Sequence, residues 1–177
     1  MLIIFGGLPG AGKTAIAREL AREIGAVHLR IDSIEQAIRS TGVVHQSLDD
    51  AGYRVGYAVA EDNLRIGRPV IADSVNPLRL TRDAWVEVAN RVQVTAIEIE
   101  VKCSDASEHR RRVETRATDI PRLRLPTWEE VMSREYHRWD REHLVIDTAG
   151  RTVEYTVKIL REALPRELGP QRVSPDG

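Results

Sequence analysis

Gly7-Leu8-Pro9-Gly10-Ala11-Gly12-Lys13-Thr14 has the spacing Gly-x4-Gly-Lys-[Ser/Thr]. Glycines let successive backbone N–H groups curl around phosphate oxygens. A helix that opens at the end of such a loop adds the positive end of its dipole. Lys13 is then placed to reach the β- and γ-phosphates, and the Thr14 hydroxyl to ligate Mg²⁺. The alternative is a Gly-rich turn that binds nothing. Lysine usage argues against it: Lys13, Lys102 and Lys158 are the only lysines, and one of them falls where the motif requires it. The glycines are not spaced as Gly-x-Gly-x-x-Gly, so a dinucleotide fingerprint is not supported.

A metal-bound triphosphate needs a further carboxylate, and Pro69-Val70-Ile71-Ala72-Asp73 offers an apolar run ending in one. Asp73 is expected to contact Thr14 or a water on Mg²⁺. Val27-His28-Leu29-Arg30-Ile31-Asp32 reads as a second strand ending in Asp. Asp32 is the candidate to take the proton of an attacking hydroxyl; it could instead serve only as a helix-dipole carboxylate. Arg112 and Arg116, four apart, would share a helix face and could clamp a transferred phosphoryl group, though a solvated salt-bridged face is the competing reading.

The elements that must position these residues follow from periodicity. Strand-like runs are Leu2–Gly6, Val27–Ile31, Pro69–Asp73, Val92–Cys103 and His143–Asp147. Helical patterns lie between them, at about Lys13–Ile24 (closed by Gly25), from Ser33 with Gln36 as a capping box, Ser47–Ile66, Arg79–Asn90, Asp105–Thr118, Thr127–Trp139 and Gly150–Leu164. This alternation predicts an α/β fold with a mainly parallel sheet covered on both faces. Gly52, Gly56 and Ala60 form a small-residue stripe that lets a neighbour approach closely. Tyr53 and Tyr57 share a face, as a substrate wall or as packing.

Composition bounds the answer. The chain has 177 residues, 42% hydrophobic and 30% charged, with a net charge of −1. One domain over residues 1–164 is expected, with a flexible tail at 165–177. Near-neutral charge disfavours a broad nucleic-acid surface. The single cysteine, Cys103, expected to be buried, permits neither an internal disulfide nor a Cys-based zinc site and fits the cytoplasm. The five histidines show no His-x3-His spacing. Met1-Leu2-Ile3-Ile4-Phe5 lacks the basic flank of a signal peptide, and no apolar run is long enough for a membrane span.

With these motifs in hand, the chain resembles the P-loop kinases of the nucleoside-monophosphate-kinase-like group. It is most similar there to AAA-type ATPases and predicted kinases related to chloramphenicol phosphotransferase, polynucleotide kinase and zeta toxin. The resemblance covers about residues 2–150. It implies a three-layer αβα P-loop NTPase fold with five parallel strands in the order 2-3-1-4-5. It also implies a helical lid at about 104–126 and ATP with Mg²⁺ as donor. It further implies that Asn76 and Arg82 face the acceptor and that Thr148 lines the nucleotide. Polynucleotide kinases carry an arginine three positions after the base; here that position is Glu35, which would repel a phosphorylated acceptor, although Arg39 lies one turn beyond.

The expected function is transfer of the γ-phosphate of ATP to a hydroxyl of a small molecule. Lys13, Asp32, Arg112 and Arg116 would be catalytic. The loop from Gly7 to Thr14, with Arg112 and Thr148, would hold ATP, and Thr14 and Asp73 the Mg²⁺. Asp32, Arg39, Asn76 and Arg82 would bind the acceptor. A polynucleotide or nucleotide kinase, or a nucleotide-binding regulator with little chemistry, are the alternatives. Oligomeric state and the choice of ATP or GTP stay open.

Overall fold

The computed structural model describes residues 1–42, 48 and 50–165. Its centre is β1 (Leu2–Gly6), an apolar strand with every residue buried. β1 pairs in parallel with β3 (Val70–Asp73) and β4 (Ala96–Lys102). β2 (Val27–Arg30) and β5 (Leu144–Asp147) complete a parallel sheet of order β2-β3-β1-β4-β5. The expected strand order is therefore found.

Alternation along the strands divides the core into two layers. Ile3, Phe5, Ile71, Ile99 and Val101 pack against α1 (Lys13–Ile24) and α7 (Val153–Ala163). Leu2, Ile4, Val70 and Ala72 pack on the other side with Ala60 and Leu64 of α3 (Ala51–Arg65) and Trp85 of α4 (Arg79–Arg91). Both faces are covered, which is why these strands read as near-continuous apolar runs.

The small-residue stripe on α3 seats α2 (Ile31–Ser40). A Cβ on Gly52 would lie 2.3 Å from Glu35 Cγ, and one on Gly56 would lie 2.5 Å from Ile31 Cδ1. The same packing explains one departure from the sequence reading. No Ser33 capping box opens α2; the helix starts at Ile31 with Arg30 as N-cap, because Ile31 is drawn into the core. Asp32 thus sits in the first helical turn instead of at the strand end.

Beyond α5 (Ala106–Thr115) comes an irregular stretch, then the short α6 (Trp128–Met132). The Thr127–Glu130 capping box forms as expected. The helix does not run on to Trp139, because residues 136–141 are bonded to the core instead. Arg82 donates to the carbonyls of His137 and Arg138, and Arg141 pairs with Glu98 and Asp83. Cys103 is half-buried instead of fully buried. Ser47 and the expected tail beyond Pro165 lie outside the described residues. No helix among the described residues is long and apolar enough to cross a membrane.

Candidate active site

The loop from Gly7 to Thr14 leaves the carboxyl end of β1 and enters α1. Gly7 has φ +133°, and its N–H donates to the Val75 carbonyl at 3.0 Å. A Cβ there would lie 2.1 Å from the Val101 carbonyl oxygen, so only glycine fits. Two further contacts hold the loop from above. His109 Nε2 lies 2.8 Å from the Pro9 carbonyl, and Thr148 Oγ1 lies 2.9 Å from that of Ala11. Both contacts hold the loop by its carbonyls.

Lys13 donates its Nζ to the Leu8 carbonyl at 3.0 Å and is almost wholly buried. Burial pushes its ammonium down to about 8; the carboxylates of Asp73 and Asp32 pull it back up, while Arg116 and Arg134 oppose them. Four charged side chains from four parts of the chain therefore bear on one ammonium. Asp73 closes β3, is 2% exposed, and lies 3.1 Å by Oδ2 from His28 Nε2. Thr14 lies in the first turn of α1, half-buried.

The side expected to take an acceptor includes α2. Burial raises the Glu35 carboxyl and neighbouring Asp32 raises it further, while Arg39 and Arg134 oppose this. Arg39 Nη2 is 3.9 Å from Glu35 and is largely exposed. Tyr53 accepts from the Asn76 N–H at 3.3 Å, whereas Tyr57 stands edge-on to Trp85 at 4.5 Å. The first tyrosine borders the site; the second is packing.

Arg112 and Arg116 part company. α5 stops at Thr115, and Arg116 has already turned extended (φ −65°, ψ 140°), so the two do not share a helix face. Arg112 donates to the Thr148 hydroxyl at 2.8 Å and carbonyl at 2.9 Å, and pairs with Glu108 at 2.6 Å. Arg116 instead lies in the fields of Asp32 and Arg30, and its buried Nε has no hydrogen-bond partner.

The residues expected after β3 also differ from the sequence reading. Arg82 is fully buried; its guanidinium binds the carbonyls of Asn76, His137 and Arg138 and lies over the Trp139 ring at 4.6 Å. Buried on these carbonyls, it holds the chain. Asn76 is also fully buried and donates to the Phe5 carbonyl at 2.7 Å. Its φ of 46° turns the loop away from β3. The resemblance puts both residues on the acceptor side; in the structure both are buried on backbone carbonyls.

The sequence reading missed Arg134 and His28. Arg134 follows α6 in a stretch expected to be plain helix, so no spacing marked it out. His28 was one histidine among five with no metal-type spacing.

Comparison with known proteins fits this architecture. The family described as AAA domain matches residues 2–135. No curated protein matches the chain by sequence. Among solved structures, a proposed kinase of Chloroflexus aurantiacus superposes with a TM-score of 0.69 at 20% identity, covering 93% of this chain and 98% of that one. Chaetomium thermophilum Kti12 in complex with ADP-AlF3 gives 0.67 at 20% identity, covering 93% and 100%. Mycobacterium tuberculosis APS kinase CysC with AMPPNP and APS gives 0.66 at 18%, covering 91% and 95%. The phosphate loop, the strand order and the family match agree, and the chain belongs to the AAA domain family.

Proposed function

We propose that the protein is an ATP-dependent phosphotransferase acting on a hydroxyl of a small molecule. One observation carries this reading: Lys13, inside a phosphate-binding loop, shares its surroundings with Asp73, Asp32, Arg116 and Arg134. A bare nucleotide-binding switch needs Lys13 and Thr14 but has no use for Asp32.

The acceptor oxygen attacks the γ-phosphorus in line, its proton passes to Asp32, the bond to the β–γ bridging oxygen breaks and ADP leaves. The loop amides and Lys13 hold the phosphates. Arg116 and Arg134 offset charge on the transferred group, and Arg112 with Thr148 flanks the nucleotide. Structures of the same fold hold AMPPNP or ADP-AlF3, which supports a nucleotide here. The Thr14 hydroxyl and Asp73 carboxylate are hard oxygen donors of the kind Mg²⁺ takes. Mg²⁺, when bound, would neutralise the β- and γ-oxygens.

Residues 1–164 then form one kinase domain with a lid at about 104–126, working in the cytoplasm. Glu35 beside Asp32 disfavours a phosphorylated acceptor such as a nucleotide or nucleic-acid end. The test is ATP consumption against alcohols, sugars, nucleosides, aminoglycosides and phenicols. Asp32→Asn should lower kcat by ~10²–10⁴ while ATP binding persists. A wild-type rate in that variant overturns the base assignment.

A further inference from the structure

We infer that His28 is a positioning residue for the metal-facing carboxylate of Asp73, an inference that rests on the phosphotransferase reading above. His28 is on β2, one strand away from β3, and points to the same side of the sheet as Arg30. Leu29, between them, packs in the opposite core layer. In the β2–β3 register Arg30 is opposite Asp73, so His28 reaches Asp73 diagonally across the strand pair. Its Nε2 comes within 3.1 Å of Asp73 Oδ2.

A buried carboxylate can only accept, so Nε2 carries the proton and donates it. Asp73 is 2% exposed, and among the described residues His28 is the single hydrogen-bond partner of its carboxylate. The bond occupies Oδ2 and leaves Oδ1 uncommitted. Without it, the carboxylate of a four-residue strand's last position would be free to rotate about χ2 or swing toward the Lys13 ammonium, whose strongest attractive neighbour it is. With it, one oxygen is anchored and the other keeps a fixed direction. Partners that orient a metal-binding carboxylate in this way are typically worth ~10–100-fold in metal affinity. His28 is itself one-fifth exposed, so its replacement leaves the strand core intact.

The experiment uses Mn²⁺ as a paramagnetic probe of the protein–ATP complex, with ATP affinity in EDTA measured alongside. His28→Leu should weaken Mn²⁺ binding by ~10-fold or more and leave ATP affinity in EDTA unchanged. His28→Gln, which retains an N–H donor, should restore most of the Mn²⁺ affinity. Equal Mn²⁺ affinity in His28→Leu and wild type overturns the inference, and so does an equal loss in the Leu and Gln variants. A drop in ATP affinity in EDTA as large as that with metal also overturns it, because His28 would then be supporting the loop. If wild-type ATP binding is itself insensitive to divalent metal, the phosphotransferase reading fails first and takes the inference with it.

Discussion

In the phosphotransferase proposed above, the donor and acceptor halves of the site are built by different means. The donor half is one uninterrupted segment, Gly7–Thr14, whose binding groups are mostly backbone amides. The acceptor half is assembled from side chains of α2, α3, the end of α5 and the stretch after α6. A backbone cradle tolerates little change, since a methyl group at Gly7 would strike the Val101 carbonyl. A side-chain wall can change residue by residue while the sheet beneath it stays the same.

This contrast can be broken by experiment. The largest effect is expected from Lys13→Ala, which should abolish turnover and strongly weaken ATP binding, read by calorimetry and ATP consumption. Retained turnover would mean that the backbone alone suffices. Arg116→Ala should lower kcat by ~10³–10⁵ with ATP affinity little changed, the behaviour of an arginine acting on the transferred group. Arg112→Ala should do the reverse, weakening ATP with a smaller change in kcat. Identical profiles for the two would restore the idea of a paired clamp.

A milder effect is expected from pH. The free Lys13 ammonium titrates at about 8, and bound phosphate should raise that value. ATP binding should therefore take up a proton above pH 8, and affinity should fall by up to about tenfold per pH unit there. Calorimetry in buffers of different ionisation enthalpy measures the uptake. The smallest effect belongs to Arg39→Ala. Its ion pair with Glu35 is long and exposed, worth no more than ~0.5 kcal/mol, so Tm should hold and only the acceptor KM should move.

The same contrast explains what could be read from the chain alone. The phosphate loop, the strand order and Asp73 are local patterns or follow from a resemblance carried by one. Lys13 needs only its immediate neighbours to be placed. For Arg82 and Asn76 the acceptor role comes only from the resemblance. Their burial is decided by Trp139 and the carbonyls at 137 and 138, far along the chain. Arg134 escaped notice for the converse reason: helical spacing says nothing once the helix ends at Met132. Arg116 was paired with Arg112 by i, i+4 geometry, which fails because the helix stops one residue short.

Arg82 has a consequence at a distance. Its planar fork spans two successive carbonyls while its flat face lies on Trp139, a combination no lysine can reproduce. The segment it grips begins three residues past Arg134. Arg82 thus works as a hinge pin out of reach of solvent, and the chain between pin and active site is a short lever. In the proposed phosphotransferase, loosening the pin would disturb the stretch that carries Arg134.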